Sequence, residues 1–195
     1  RTSKKNYIPN DVRFQTKPNI ALELIDRAKG NGIQVMAWTA DALYGRDGAF
    51  LDALDERNEA FVVEIPADFH VWLTKPRILK KPPQNGKGGR RKYPRLRQRE
   101  RQPSEVQNLA AYSPAFREQT PQRYLIKDTR HGEEVWEIRW ETCWRKSQTG
   151  KLVSNQCTLI VARNVLTHET KYFLSNRVPG RNGWSLRSIL RVAFG

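Results

Sequence analysis

The stretch of the sequence that decides the fold is residues 33–65, IQVMAWTADALYGRDGAFLDALDERNEAFVVEI. It begins and ends with mostly apolar runs of strand length, residues 33–39 and 60–65, which are typical of strands covered on both faces. Between the two runs, Asp47 is a plausible N-cap for a helix with apolar residues at helical spacing. Strand, helix and strand in this order predict a right-handed parallel crossover, so we expect an α/β protein.

Helix and strand signals continue on both sides of this stretch. Upstream, Thr16 and Pro18 begin a helix that a glycine ends about four turns later. Downstream the pattern becomes rich in strands, and Ser185 is a good N-cap for a last helix at residues 185–194. The predicted downstream strands are residues 124–127, 134–144, 158–166 and 170–174.

A row of tryptophans marks the strand at residues 134–144. Trp136, Trp140 and Trp144 alternate with polar residues at the strand period, but they also lie four apart, so a helix is the competing interpretation. The enrichment in Ile, Val, Thr and Trp favours the strand. Such a row could stack nucleic-acid bases, or it could be a sheet face that packs into the core.

Positive charge is concentrated in residues 75–101, which we call the basic segment. It holds twelve Lys and Arg and one acid, Glu100, and therefore carries +11 of the net charge of +15. The segment is rich in Pro and Gly, so we expect a mobile loop in the absence of a partner. Its charge favours a polyanion as that partner, and a solvated linker is the alternative. The basic residues are Lys75, Arg77, Lys80, Lys81, Lys87, Arg90, Arg91, Lys92, Arg95, Arg97, Arg99 and Arg101.

Composition excludes several classes of protein. A chain of 195 residues allows one domain, or one domain with a sizeable insertion. No run of 18 apolar residues occurs, which excludes a membrane-spanning helix. Two cysteines are too few for a disulfide framework and favour a reducing compartment. A strongly basic chain of this kind usually meets polyanions, and nucleic acid is the first candidate.

Asp41 is the position that has the character of a catalytic residue on physical grounds. It directly follows an apolar strand, so its carboxylate is expected at the carboxyl end of a parallel strand, the edge where ligands of open α/β sheets collect. The alternative is that Asp41 forms an Asx-turn that leads into the next helix. A site for a hard metal ion needs more than one carboxylate, and no second acid is tied to Asp41 by its spacing.

Other candidate sites have weaker signals. The three histidines show no paired spacing of metal ligands. Cys143 and Cys157 lack a C-x-x-C spacing, and Cys143 fits a sheet face better than the role of a nucleophile. The glycines of residues 85–89 do not follow a strand, so they do not form a phosphate loop.

Six short motifs occur along the chain, at residues 12–18 (VRFQTKP), 21–26 (ALELID), 39–45 (TADALYG), 161–166 (VARNVL), 171–176 (KYFLSN) and 190–195 (LRVAFG). In their order and spacing they resemble the middle of a bacterial insertion-sequence transposase of the DDE superfamily, a class of endonucleases. The resemblance covers nearly the whole chain apart from the basic segment.

The resemblance implies a partial RNase H-like fold with a β-rich insertion after a basic loop. It divides the chain into a partial RNase H-like core at 1–74, a basic Pro/Gly-rich loop and irregular segment at 75–121, a β-rich insertion at 122–180 and the start of the final catalytic helix at 181–195. Its second catalytic Asp falls on Asp41, as catalytic residue and metal ligand.

The resemblance also implies the reaction and its partners. Three acids hold two Mg²⁺ ions, which activate a water or a 3′-hydroxyl for attack on a DNA phosphate. DNA, as element ends and target, is then the partner of the twelve basic residues. No membrane is involved, a homo-oligomer is one option for the complete enzyme, and the expected location is the bacterial cytoplasm near the nucleoid.

The chain departs from this family at two catalytic positions. The first Asp would lie upstream of the sequence, and the Glu would lie shortly beyond Gly195. We therefore expect a truncated transposase that is inactive alone and does not hold Mg²⁺ stably, because one carboxylate cannot hold two ions. The alternative is a non-catalytic nucleic-acid-binding protein that uses the basic segment, and a weaker one is a module that contacts acidic proteins.

Overall fold

The computed structural model describes residues 14–79, 94–129, 132–148 and 151–195. The chain forms two compact units, of which the first ends at Gln34 and the second begins at Val35. The first unit contains helix α1 (Lys17–Gly30). The elements of the second unit are β1 (Trp38–Ala40), α2 (Ala42–Gly45), α3 (Gly48–Glu56), β2 (Phe61–Ile65), β3 (His70–Trp72), β4 (Ile78–Leu79), β5 (Arg95–Leu96), β6 (Ser104–Glu105), α4 (Val106–Tyr112), α5 (Pro114–Arg117), β7 (Gln122–Thr129), β8 (Gly132–Arg145), β9 (Cys157–Asn164), β10 (Thr170–Ser175) and α6 (Leu186–Phe194).

Helix α1 confirms the predicted first helix. The hydroxyl of Thr16 accepts a hydrogen bond from the Asn19 backbone N–H at 3.4 Å, and Pro18 occupies the first turn, where its missing N–H costs nothing. Arg27 and Lys29 lie in the last turn, where cations interact favourably with the helix dipole.

The parallel crossover is also confirmed. Strands β1 and β2 pair in parallel with Trp38 opposite Phe61, and helices α2 and α3 connect them. Asp47 caps α3 by accepting hydrogen bonds from the Ala49 and Phe50 N–H groups at 2.9 and 3.1 Å. The predicted second strand at 60–65 and its crossover helix therefore form as the pattern indicates.

The first strand of the crossover is shorter than predicted. Only Trp38–Ala40 form β1, and the predicted strand residues Val35 and Met36 lie outside it with exposed side chains. The reason is the partner strand, which begins at Phe61 because the chain before it is turning out of α3, with the Glu59 N–H bonded to the Leu54 carbonyl. Residues 35–37 have no residue of β2 opposite them. Apolar composition alone therefore does not make them a strand.

One mixed sheet forms the core of the second unit, in an α/β arrangement as predicted. Its strands follow the order β1-β2-β10-β9-β8-β3-β6, and β7 also pairs with β8. Apart from the β1–β2 pair, the strand pairings of this sheet among the described residues are antiparallel. The four predicted downstream strands are confirmed as β7 to β10, and the tryptophan-bearing stretch is a strand rather than a helix.

Two of the ranges predicted as separate parts share this sheet. Leu174 of β10, within the predicted β-rich insertion, lies opposite Val63 of β2, within the predicted RNase H-like core. The four-part division of the chain stays a prediction. Within the described residues, no helix combines the length and the apolar character needed to cross a membrane.

Helix α6 covers one face of the sheet. Ser185 and Ser188 form a capping box at its start, as the predicted N-cap at Ser185 requires. Ile189 and Leu190 of the helix pack against apolar side chains of β2, β8, β9 and β10. Trp136 belongs to this core with 3% of its surface exposed. Burial therefore supports the packing interpretation for Trp136, whereas Trp140 and Trp144 are only partly buried.

Strand β8 changes partner along its length. Its first part pairs with β7 as far as Ile138, and its last residues pair with β3 from Trp144. Between the two partners, the side-chain amide of Gln119 donates to the Trp140 carbonyl and accepts from the Trp140 N–H, both at 2.9 Å. Gln119 thus takes the place of a strand residue in the gap.

A buried ionic cluster fixes α3 to the end of β8. The guanidinium of Arg145, which is fully buried, lies 2.6 Å from an Asp52 carboxylate oxygen and 2.8 Å from an Asp55 carboxylate oxygen. Asp52 also accepts hydrogen bonds from the Ser147 hydroxyl at 3.0 Å and the Gln148 N–H at 2.6 Å. These ion pairs link helix α3 to strand β8. The crossover that positions Asp41 is therefore anchored to the antiparallel part of the sheet.

Candidate functional site

Asp41 lies directly after β1 and opens helix α2. Its Oδ1 accepts a hydrogen bond from the Leu43 N–H at 3.0 Å, and its carbonyl accepts from the Tyr44 and Gly45 N–H groups at 3.1 and 2.9 Å. The residue is exposed, and its Oδ2 has no hydrogen-bond partner among the described residues. The Asx-turn weighed from the sequence is therefore present, and it leaves one carboxylate oxygen open to a ligand.

Gly45 holds helix α2 against the carboxyl end of β2. A Cβ at this position would lie 1.9 Å from the backbone oxygen of Glu64, so no residue with a side chain fits without moving the backbone. Tyr44 packs on Phe50 of α3, with ring centroids 5.5 Å apart. These two contacts fix the short helix and, through its N-cap, the position of Asp41.

A small polar cleft lies where the chain leaves α2 and β2. It has a volume of about 350 Å³ and is lined by Arg46, Pro66, Asp68, Phe69 and His70. Asp68 and His70 are exposed. The sequence reasoning did not select Arg46, Asp68 or His70, and their position just after α2 and β2 is the signal that could have indicated them.

The described residues supply one carboxylate at Asp41 and not the full set of ligands that a two-ion site needs. Within the parts of the chain that the structure describes, no group of three or more His, Cys, Asp and Glu side chains is placed to hold a metal ion. Asp41 itself is suited to one bond with a hard cation, because carboxylate oxygen is the ligand such ions prefer.

The ends of the basic segment form a two-stranded ribbon. Strands β4 and β5 pair antiparallel with Ile78 opposite Leu96, and the Arg97 N–H donates to the Arg77 carbonyl at 2.9 Å. This regular pairing at the two ends differs from the expected loop. Of the twelve predicted DNA-contacting residues, Lys80, Lys81, Lys87, Arg90, Arg91 and Lys92 lie outside the described residues.

The six described basic residues of this segment are all exposed, and four of them share one cleft. They are Lys75, Arg77, Arg95, Arg97, Arg99 and Arg101. The cleft has a volume of about 600 Å³ and is lined by Arg77, Arg97, Arg99 and Arg101 together with Trp72 and Glu100, among others. The alternation of exposed Arg95 and Arg97 with Leu96 is the signal that could have indicated β5.

The cysteines are buried in the sheet and are poor nucleophiles. Cys143 of β8 lies opposite Cys157 of β9, and both are fully buried. Burial raises the pKa of Cys157 from 9.0 to about 11, and it raises the pKa of Cys143 well above 9.0. The thiolate is therefore scarce at neutral pH, in agreement with the sheet-face interpretation of Cys143.

Comparison with known protein families identifies the family of this chain. Residues 1–133 match the family described as DDE superfamily endonuclease, which covers more than half of the 195 residues. The chain belongs to the DDE superfamily of endonucleases. No curated protein and no solved structure matches it. The superfamily expected from the motifs is confirmed, whereas an origin in a bacterial insertion sequence stays a prediction.

The match places this DDE superfamily endonuclease among enzymes that act on DNA and generally use divalent metal ions. The matched range contains Asp41 and the whole basic segment. The motifs quoted from residues 161–166, 171–176 and 190–195 lie beyond it. A nuclease or transposase type of function therefore holds for the chain in general.

Proposed function

We propose that this DDE superfamily endonuclease is a transposase, in which metal-dependent cleavage and strand transfer of DNA element ends use Asp41 as a catalytic metal ligand. The observation that carries the proposal is the position of Asp41 in a chain of this superfamily. Its exposed carboxylate directly follows the first strand of a parallel crossover, where α/β proteins bind their ligands.

Asp41 would act as one metal ligand through its free Oδ2. Its Oδ1 is held by the Leu43 N–H at 3.0 Å, which orients the carboxylate before any ion arrives. The close approach of Gly45 to β2 keeps the turn in place. When bound, the Mg²⁺ ions of this chemistry activate the attacking oxygen and stabilise the leaving one.

We propose further that these 195 residues do not cleave DNA by themselves and bind Mg²⁺ only weakly. Two ions need several carboxylates, and the described residues offer Asp41 without a cluster of further acids. Plasmid nicking in Mg²⁺ or Mn²⁺ tests this part. Robust nicking that Asp41→Ala abolishes would contradict it and leave the assignment of Asp41 intact.

The role of Asp41 is tested by metal binding, which does not depend on activity. Mn²⁺ is titrated into isotopically labelled protein, and paramagnetic broadening of the backbone amide signals is followed. We expect the signals of Leu43 and Tyr44 to broaden in the wild type and to stay sharp in Asp41→Asn. Because Asn is as good an N-cap as Asp, the substitution removes the charge and keeps the turn.

Asp47→Asn is the matched control. Asp47 is the N-cap of the next helix and accepts two backbone hydrogen bonds, so this variant loses the same charge at an equivalent position. We expect it to show wild-type broadening around Asp41. Broadening that survives in Asp41→Asn, or that is absent from the wild type at millimolar Mn²⁺, would refute the assignment of Asp41.

We propose that the twelve basic residues of the basic segment contact DNA. The six described ones support this, since all are exposed and the run contains a single acid. A chain with many unpaired cations is expected to bind phosphates and to release counterions in doing so. The measurement is DNA affinity as a function of salt, with neutralising substitutions in the segment.

The second candidate function is a non-catalytic nucleic-acid-binding protein. The cleft lined by four arginines favours it, because this site needs no metal ion. DNA binding that is unaffected by Asp41→Asn, by chelator and by Mn²⁺, together with absent Mn²⁺ broadening, would favour this candidate over the transposase.

The wider setting is part of the same proposal. We propose a bacterial insertion sequence as the origin, the cytoplasm near the nucleoid as the location, and a homo-oligomer as the assembly. The four-part division at residues 74, 121 and 180 belongs to it as well. The DNA that flanks the coding segment tests the origin, since terminal repeats on both sides are the mark of such an element.

A further inference from the structure

We propose that the cleft lined by Arg77, Arg97, Arg99 and Arg101, here called the arginine cleft, is a binding site for the phosphodiester backbone of nucleic acid. This proposal rests on the proposed function in one respect, namely that the chain binds DNA. It goes further by naming which four side chains act as a unit, and by assigning them to phosphates rather than to base edges.

Backbone contacts hold the arginine cleft open in one shape. The indole N–H of Trp72 donates to the Arg101 carbonyl at 2.9 Å, which ties one wall to strand β3. Ser104 pairs with Val71 across β3 and β6, so the chain after the cleft is also anchored to the sheet. The hydrogen bond from Arg97 to Arg77 joins the two ends of the basic segment. The backbone that carries the four arginines is therefore anchored before a ligand arrives, which reduces the entropy cost of binding.

The charges in the arginine cleft are unbalanced. None of its four guanidinium groups forms an ion pair with a described residue, and Glu100 is the one acid in its lining. Arg77 and Arg97 lie across the ladder from each other, and like charges in this arrangement repel. An anion between the arginines would relieve that repulsion.

Arg99 lies in a turn that glycine would also fit. Its φ is +64°, in the left-handed region that glycine adopts freely, and Leu152 has a similar φ of +66°. The turn is closed by a hydrogen bond from the Glu100 N–H to the Arg97 carbonyl at 3.1 Å. Glycine at residue 99 can therefore remove the charge without straining the turn.

The shape of the site favours phosphate over bases. Reading of base edges requires an element that protrudes into a groove, whereas the arginine cleft is concave. Trp72 lines it but has only 6% of its surface exposed, so it offers little ring face for stacking. Guanidinium groups match the oxygens of a phosphate in a bidentate way, which suits a backbone that passes through.

The test is the salt dependence of binding to a random-sequence DNA duplex of about 30 base pairs. Each phosphate contact contributes about 0.9 to the slope of log affinity against log salt, which is about a 3.5-fold loss of affinity between 50 and 200 mM salt. The loss of affinity between 50 and 200 mM salt is therefore expected to be about 12-fold smaller for Arg77→Ala/Arg97→Ala than for the wild type. The effect should be equal for duplexes of different sequence.

Arg117→Ala/Arg187→Ala is the control for charge. Both residues are exposed, on helices α5 and α6, and neither forms an ion pair with a described residue, so this variant loses two equally unpaired charges outside the arginine cleft. We expect a slope close to that of the wild type. An equal flattening by both double variants would overturn the proposal in favour of general electrostatic attraction, and no flattening by the cleft variant would overturn it outright.

Two single variants separate a binding role from a structural one. Arg99→Gly should weaken DNA binding while raising the midpoint of thermal unfolding, because glycine relieves the left-handed backbone. Glu100→Gln should tighten DNA binding, because it removes the one acid of the lining. Arg99→Gly with lower stability, or unchanged affinity in both variants, would contradict the proposal.

Poly-L-glutamate distinguishes a nucleic-acid ligand from an acidic protein. If it displaces DNA from the arginine cleft at equal charge concentration, the site belongs to an acidic protein partner and the proposal fails. Failure here is separate from failure of the proposed function, because Mn²⁺ broadening at Asp41 does not involve the cleft. The two results can therefore be positive or negative independently.

Discussion

Replacement of Arg145 by methionine tests what anchors the crossover. The change removes a fully buried guanidinium and keeps a side chain of similar length. It leaves the carboxylate of Asp52, which is 4% exposed, and that of Asp55 without their cation. Burial of an unpaired charge is strongly unfavourable, so this variant should be among the least stable single substitutions in the chain.

The magnitude follows from the geometry of the cluster. Both contacts, at 2.6 and 2.8 Å, are charge-assisted hydrogen bonds, and the loss of one partner from such a buried group costs about 3–5 kcal/mol. Asp52 keeps the Ser147 hydroxyl and the Gln148 N–H as donors, which favours the lower part of the range. For a domain of this size the loss corresponds to a fall of about 6–20 °C in the melting temperature.

Urea unfolding followed by circular dichroism gives the free energy of unfolding. Arg123→Met is the control, because Arg123 has 74% of its side chain exposed and lies 4.0 Å from Glu137, and such surface pairs contribute about 0–1 kcal/mol. Asp52→Asn in the Arg145→Met background should recover part of the loss. A cost below about 1 kcal/mol, equal to that of the control, would refute the anchoring role.

Three further substitutions test other parts of the fold. Gly45→Ala should cost about 1–3 kcal/mol in urea unfolding and weaken Mn²⁺ binding at the turn, whereas Gly30→Ala, with nothing within 4 Å, should not destabilise; equal effects would contradict the close approach. Cys157 has a raised pKa of about 11, so its neutral thiol contributes stability that is complete below pH 9 and lost as pH rises to 11. The stability difference between wild type and Cys157→Ala should shrink by about 3 kcal/mol over that interval, and a constant difference would be the contrary result. Gln119→Ala should cost about 1–3 kcal/mol and speed hydrogen exchange at the Trp140 amide, which loses its acceptor; unchanged exchange would mean that the gap in β8 is filled otherwise.

Sequence patterns predicted the helices and strands well where interactions between neighbouring residues determine them. Asp47 and Ser185 cap helices in the structure because an N-cap depends on the side chain and on the backbone three residues ahead. The tryptophan-bearing strand followed from period-two alternation. The apolar run at residues 33–37 was predicted as strand and is not, because a strand also needs a partner, and β2 begins too late to provide one.

The candidate site divides in the same way. Asp41 could be found from the sequence, since a carboxylate after a buried strand stands at a known edge of an α/β sheet. The sequence could not show that Oδ2 of Asp41 is free, because this depends on which carboxylate oxygen accepts the hydrogen bond from the Leu43 N–H. The basic segment was visible as charge, yet which of its arginines share a cleft depends on the pairing of β4 with β5 and on a turn at Arg99.

The sequence by itself therefore determined the superfamily, the parallel crossover, the position of Asp41 and the location of the positive charge. The superfamily follows from the motifs that resemble it, and the other three are encoded in neighbouring residues through periodicity, capping or composition. The tertiary structure alone decided that Arg145 meets Asp52 and Asp55 from 90 or more residues away, that Gly45 touches β2, and that four arginines line one cleft. These contacts join distant segments, and no local pattern records which distant segment a residue will meet.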